Sequence, residues 1–323
     1  MRAVVVHQTG GPEALEFVDL PTPTPGPGQA LVRHEAVGLN FIDIYHRTGL
    51  YPMKTPFTPG SEAAGVVDAV GDGVTQVKVG DRVAYAGAQG AYADMNVVPA
   101  DRLVRLPESI SFPVAAASML KGMTAEFLAD RIWPALKPGD PVLVHAAAGG
   151  VGSILVQWLK HRGQHVIAAV GGAAKAEVAR GHGADEVLDY DREDIAARVR
   201  ALTGGAGVRV VYDSVGKATF EASLASIGKR GLMVCYGNAS GPAPAIEPGR
   251  LARLGSLFLT RPTLFDYIAA PADLDAAAAS LFALIGAGAV KIDIGQTWPL
   301  AEVRAAHAAL ERRATTGATV LTP

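Results

Sequence analysis

The sequence predicts an α/β protein with a doubly wound parallel sheet and a second, β-rich region. Three observations carry that expectation. An apolar stretch, a glycine-rich turn and a helical pattern follow one another across residues 141–160. Strand-like segments then recur with helical patterns between most of them, the rhythm of βα units. The first third instead alternates short apolar stretches with Gly and Pro.

Taken in order, residues 3–6, 31–39, 63–70, 82–85 and 95–98 read as antiparallel strands of a barrel or sandwich. Residues 21–28, P-T-P-T-P-G-P-G, lack the N–H groups of a central strand and read as an extended connector; an SH3-type docking ligand is the weaker reading. Residues 111–131 turn helical and lead into the βα region. Its strands are expected to begin near Pro141, His165, Glu186, Val208, Gly231 and Ser256, with the region ending near Thr260. The tail offers helices at 274–285 and 300–313 and a last strand at 318–321. The expected boundaries are 1–120 for the β-rich domain, completed by 261–323, and 121–260 for a nucleotide domain. Chemistry is expected in the cleft between them.

A chain of 323 residues with 49% hydrophobic content supports two domains with sizeable cores. The formal charge of −2 and the absence of a block of like charge argue against nucleic acid and for a small-molecule ligand. Cys235 is the only cysteine and lies in the apolar run 232–236, which excludes an intramolecular disulfide and a cysteine-cluster zinc site. The apolar part of the N-terminus is too short for a signal peptide, making the cytoplasm the default location. Residues 276–290 are uncharged but shorter than the roughly 20 residues of a membrane span, and fit a buried helix.

Residues 145–152 read H-A-A-A-G-G-V-G between a buried-strand pattern and a helix. Without side chains, Gly149 and Gly150 let the backbone approach a pyrophosphate, while Gly152 permits close helix–strand packing. Ala147 stands where a dinucleotide fingerprint opens with Gly, and read alone the turn is equally a tight structural connection. The βα context favours a cofactor. An NAD site carries an acid about 20 residues beyond the glycines. Here Gly171-Gly172 and then Lys175 fill that stretch, and the third strand ends at Asp189-Tyr190. A 2′-phosphate carries roughly −1.5 to −2 charges, and a charge-assisted contact to it contributes about 1.5–3 kcal/mol, so NADPH is expected. A solvated helix lysine is the plainer reading of Lys175, and the missing acid decides against it.

Asn40-Phe41-Ile42-Asp43, residues 61–65 (S-E-A-A-G), 115–118 (A-A-A-S), Leu120-Lys121-Gly122, the 146–152 turn, 211–216 (V-Y-D-S-V-G), Tyr236-Gly237-Asn238 and Thr260-Arg261-Pro262 together resemble the zeta-crystallin-like NADPH:quinone oxidoreductases, a zinc-independent branch of the medium-chain dehydrogenases and reductases. The resemblance runs nearly end to end and implies a GroES-like first domain, a Rossmann middle and a tail returning to the first domain. By position it implies NADPH contacts at Asn40, Asp43 and Tyr45, and along the turn at Ala147, Gly149, Gly150, Val151 and Gly152. It further implies Gly171, Gly172, Lys175 and Tyr190, then Ser214, Gly237 and Asn238, then Phe258, Thr260 and Arg313. Metal-dependent relatives hold a cysteine and a Gly-His-Glu triplet where this chain has Asn40 and Gly60-Ser61-Glu62, so no catalytic zinc is expected. Hydride transfer to a simple ketone needs a Lewis acid, whereas a quinone delocalises the new charge. A quinone or an activated enone is therefore the expected acceptor.

Asn40, Tyr45 and Tyr51 are the catalytic candidates, the tyrosines bonding or stacking on a quinone; packing at a domain surface explains the tyrosines equally well. His46 is expected to be exposed, His145 to be a satisfied core histidine, and Glu62 to anchor its loop. An NADPH-dependent reductase of α,β-unsaturated aldehydes or ketones shares every motif and stays open. So does a non-catalytic, crystallin-like or RNA-associated NADPH-binding protein, which the acidic balance disfavours. Residues 256–260 form an apolar edge strand that a twofold partner would cap, so a homodimer is expected.

Overall fold

A computed structural model describes residues 1–323. Contacts divide the chain into two units. The first comprises Met1–Met123, Ile268–Gly286 and Ile292–Pro323, and the second Thr124–Tyr267 and Ala287–Lys291. The divisions at 123/124 and 267/268 stand a few residues beyond those expected at 120/121 and 260/261. The stretch Ala287–Lys291 joins the second unit because the Gln157 carboxamide bonds both backbone groups of Lys291, at 2.8 and 3.0 Å.

The first unit begins with β1 (Arg2–Val5), β2 (Glu16–Asp19), β3 (Gln29–Leu39), α1 (Phe41–Thr48), β4 (Glu62–Val70), β5 (Arg82–Ala86), β6 (Met95–Pro99) and β7 (Val104–Arg105). α2 (Phe112–Glu126) leads out of it and ends in a π turn over Phe127–Arg131. The second unit continues with β8 (Pro141–His145), α3 (Gly150–His161), β9 (His165–Val170), α4 (Ala173–Gly181), β10 (Glu186–Asp189), α5 (Ile195–Leu202) and β11 (Val208–Asp213). It closes with α6 (Phe220–Ser226), β12 (Ile227–Cys235), α7 (Pro248–Arg253), β13 (Phe258–Thr260) and α8 (Leu264–Tyr267). The tail adds α9 (Pro271–Gly286), β14 (Ile294–Pro299), α10 (Val303–Glu311) and β15 (Ala318–Thr322) to the first unit.

In the first unit, β3 pairs with β4, β6 and β15, all antiparallel, within a seven-stranded sheet in which six strands run in the order β14-β15-β3-β4-β5-β7 and β6 pairs with β3 off that path. A side chain at Gly65 would overlap the Arg33 carbonyl oxygen, so glycine there lets β3 and β4 close together. Val32, Val37, Val67, Tyr85 and Tyr92 fill the core beneath.

The second unit is a six-stranded parallel sheet ordered β10-β9-β8-β11-β12-β13. Its inner strands are apolar on both faces because helices cover both, and Leu143, Ile167, Val211 and Met233 lie fully buried. The strand order reverses at β8, and in such sheets ligands sit at the carboxyl ends of the strands at that reversal. β12 starts at Ile227, before the expected Gly231, and bends where Arg230 takes φ 57°. β13 starts at Phe258, not Ser256, because Ser256 sits at φ 56° outside the strand region. No helix is long and apolar enough to cross a membrane.

Candidate functional site

The chain leaves β8 at His145 and reaches α3 through a turn at 146–149. Ala146 adopts φ 50°, and its carbonyl accepts the Gly149 N–H at 2.9 Å. A side chain at Gly152 would overlap that same carbonyl oxygen, so the first turn of α3 can lie this close to the strand end only with glycine there. Gly149 is the N-cap of α3, with no capping side chain and no acid in the first turn, which leaves the peptide N–H groups and positive helix end to an anion from outside. Ala147 is fully buried and Val151 half-buried.

Beside the turn, β9 ends in Gly171-Gly172. Gly172 caps α4 at φ 83°, and a side chain there would meet nothing within 4 Å, so this corner is open. Lys175 lies in the first turn of α4, half-buried. The carboxylate of Asp189 accepts the N–H of Gly172 at 3.1 Å and of Asp191 at 3.0 Å, and these bonds hold it below the usual carboxylate range. The sequence places Asp189 merely at a strand end; in the structure it fixes the β9–α4 corner. The Tyr190 hydroxyl oxygen accepts the Ala146 N–H at 2.8 Å. At the ends of β11 and β12, a side chain at Gly237 would overlap the Ser214 carbonyl, and Asn238 is half-buried beside it. Thr260 ends β13, paired with Val234, and Phe258 stands 52% exposed against the Trp133 ring.

The first unit gathers a second group. Asn40 is the N-cap of α1, 5% exposed, and its N–H donates to Asp43 Oδ2 at 2.9 Å. Its carboxamide Nδ2 donates to Glu62 Oε2 at 2.8 Å, and Lys121 Nζ donates to the same oxygen at 3.0 Å. The other oxygen of Glu62 accepts the Leu120 N–H at 2.7 Å. Because a carboxylate only accepts, Asn40 must present Nδ2 to it and turn Oδ1 away. Glu62 thus anchors more than its own loop. Lys121, quoted in a motif but given no role by the sequence, is the buried cation that neutralises it. Tyr45 is buried with its ring edge-on to Tyr51 at 5.1 Å, and the Tyr51 N–H donates to the Tyr45 carbonyl at 3.0 Å. His46, expected at the surface, is buried with the Tyr51 ring edge-on to it at 6.2 Å, and burial lowers its pKa. Arg313 is exposed after α10, at φ 57°. No group of three or more His, Cys, Asp or Glu side chains converges on a point.

Two family models match the chain, "Alcohol dehydrogenase GroES-like domain" over residues 26–108 and "Zinc-binding dehydrogenase" over residues 150–281. It is 50% identical to the quinone oxidoreductase of Pseudomonas aeruginosa over 97% of both chains. The chain belongs to the quinone oxidoreductase family. The chain accordingly combines a GroES-like and a Rossmann-like domain, the fold of the medium-chain dehydrogenases and reductases. The solved quinone oxidoreductase of Escherichia coli complexed with NADPH superposes with a TM-score of 0.97 at 45% identity, covering 100% of both chains. A 2-haloacrylate reductase from Burkholderia sp. is 42% identical over 99% of this chain and 98% of its own.

In this family member, Asp43 links the α1 cap to a longer buried chain. It accepts from Ser61 Oγ and from the Tyr92 hydroxyl, both at 2.9 Å; Tyr92 meets His307 Nε2 at 3.0 Å, and Arg47 meets His307 Nδ1 at 3.2 Å. Arg47 donates only, so His307 is neutral and carries its proton on Nε2. Burial and Arg47 push His307 down to about 3, burial pushes His34 down to about 4, and burial pushes Asp43 up to about 6.

As pH falls from 6.5 toward 4, the unfolded chain takes protons at both histidines that the folded chain refuses, so stability falls; Asp43 opposes this between 3.8 and 6 by binding its proton in the folded state first. The balance of these three groups is a loss of about 2–3 kcal/mol from neutral pH to pH 5, and His46 and His145, which burial also holds below the ordinary imidazole range, add to it. Denaturant titrations at the two pH values check it, and equal midpoints would contradict it.

Proposed function

We propose that this chain is an NADPH:quinone oxidoreductase that works without a metal. The observation that carries the reading is the glycine-built turn at 146–152, feeding the uncapped end of α3 where the strand order reverses. The NADPH complex of the Escherichia coli relative and the quinone oxidoreductase names of the relatives support it.

Peptide N–H groups of Gly150 to Gly152 hold the diphosphate, with Gly149 letting the turn approach it and Ala147 packing beneath. Gly171 and Gly172 make room for the 2′-phosphate, Lys175 balances its charge, and Tyr190 borders it. Ser214, Gly237, Asn238, Phe258, Thr260 and Arg313 complete the contacts, joined by Asn40 and Tyr45. The Asp43 carboxylate is fully buried and bonded to the Asn40 N–H, Ser61 and Tyr92, so it supports Asn40 and does not touch the dinucleotide. Bound NADPH supplies two reducing equivalents. Asn40, oriented by Glu62, offers its Oδ1 as an acceptor, and Tyr45 and Tyr51 hold the acceptor ring. At the Asn40–Glu62 position the Lys121 ammonium already supplies the positive charge, so a metal ion has no place in that set of donors.

NADPH oxidation against a panel of quinones, enones and aldehydes, with and without a chelator, tests this. Quinone turnover indifferent to chelation is the expected result. Turnover confined to simple ketones and abolished by chelation would overturn it. Reduction of an activated alkene is the second reading, favoured by the 2-haloacrylate reductase relative.

Lys175→Glu reverses the charge facing the 2′-phosphate and is expected to weaken NADPH by about tenfold to a hundredfold while sparing NADH. Equal losses for both would place recognition of the 2′-phosphate elsewhere. The protein is further proposed to act in the cytoplasm as a homodimer. β13 ends the parallel sheet with an unpaired edge and an exposed Phe258, a surface suited to antiparallel capping by a second copy. Light scattering at micromolar protein should give twice the mass of the chain, and a monomer mass would refute the dimer.

A further inference from the structure

Beneath the 146–149 turn runs a line of hydrogen bonds whose direction is fixed at one end. Val215 N–H, Gly216 N–H, Thr219 Oγ1 and Ser223 Oγ all donate to the fully buried Asp213 carboxylate, at 2.8, 3.0, 2.7 and 2.7 Å. Ser223 has only one proton, so its oxygen must accept from His145 Nε2, 2.9 Å away. His145 is therefore protonated at Nε2 and bare at Nδ1. The bare nitrogen faces the Tyr190 hydroxyl at 3.2 Å, the two rings lying parallel with centroids 5.7 Å apart. Tyr190 donates its proton to His145, and its oxygen accepts the Ala146 N–H at 2.8 Å. Burial keeps the imidazole below its ordinary range and hence neutral, although Asp213 pulls the other way.

We propose that His145 is a positioning residue for the dinucleotide: through Tyr190 it holds Ala146 in the left-handed conformation that aims the turn at the diphosphate. Ala146 is a residue without glycine's freedom at φ 50°, a conformation kept only where its surroundings impose it. Its carbonyl is also the atom that receives Gly149 N–H and that Gly152 must clear. Moving Ala146 therefore moves both glycines. His145 acts from below, through Tyr190, on the tightness of the cofactor cradle.

This inference rests on the turn being the dinucleotide site. In the ¹⁵N-labelled full chain, long-range imidazole correlations should report the Nε2–H tautomer for His145, while amide shifts of residues 147–152 on NADPH addition report the site itself. His145→Phe and Ser223→Ala should each raise the Kd of NADPH, and of NADH equally, by about three- to tenfold, the factor one lost hydrogen bond carries. The kcat at saturating NADPH should stay within about twofold, and Ser223→Thr, which keeps the hydroxyl, should restore the wild-type Kd. An Nδ1–H tautomer, or an unchanged Kd in the folded Ser223→Ala variant, would overturn the inference while leaving the site intact. Amides at 147–152 that ignore NADPH would overturn the site and the inference together.

Discussion

Gly152→Val is expected to raise the Kd for NADPH by at least about a hundredfold, loss of most of the diphosphate's hydrogen bonds at once. A Cβ at this position would overlap the Ala146 carbonyl oxygen and stand 2.9 Å from Ala147 Cα, and these are backbone atoms of a turn that has no slack. Either the first turn of α3 or the end of β8 must retreat. In both cases the peptide N–H groups lose their common aim. Overpacking of this kind also costs about 1–3 kcal/mol of stability, so the melting temperature should fall by a few degrees. Gly181→Ala is the control, because a side chain there meets nothing within 4 Å and its φ is ordinary. It should leave the Kd unchanged. Fluorescence titration with NADPH, set beside thermal melts, distinguishes lost binding from lost fold, and a Gly152→Val protein that binds like the wild type would refute the geometry.

Glu62→Gln should destabilise the protein by about 3–5 kcal/mol, the cost of leaving a buried charge without its partner. The Lys121 side chain is 6% exposed and its Nζ lies 3.0 Å from Glu62, so no solvent takes over when the carboxylate is neutralised. The same substitution frees the Asn40 carboxamide to turn over, since a glutamine can offer it either a donor or an acceptor. Stability and catalysis should therefore separate in the double variant. Glu62→Gln with Lys121→Met removes the stranded cation and should recover most of the lost stability in denaturant titrations, while the catalytic defect from a misdirected Asn40 persists. Simple additivity of the two single losses would contradict the pairing.

The parts of the molecule that the sequence reveals are those whose signals are local. The β8–turn–α3 unit is legible because an apolar strand, a glycine cluster and a helical period lie within about 20 residues of one another. The alternation of βα units likewise announces the parallel sheet. β14 escapes notice because its residues, I-G-Q-T-W-P, alternate between half-buried and exposed and contain no apolar run. β2 is shorter and mostly exposed. The start of β13 shifts because Ser256 takes positive φ, which no residue preference announces, whereas β12 begins earlier than its apolar run and continues through Arg230 at φ 57°. In the candidate site, Asn40, Asp43 and the glycines are legible by motif, whereas their supports are not. Lys121 and Glu62 lie 59 positions apart, and Arg47 and His307 lie 260 apart, so only the fold brings each pair together. His46 shows the opposite limit: a polar residue on a short helix reads as exposed, and only the fold shows it buried.

The most direct test of the account is the crystal structure of the chain with NADPH. The diphosphate oxygens should lie within hydrogen-bonding distance of the N–H groups at residues 150–152, with the 2′-phosphate beside Gly172 and Lys175. A diphosphate bound elsewhere, with this turn left to solvent, would contradict it.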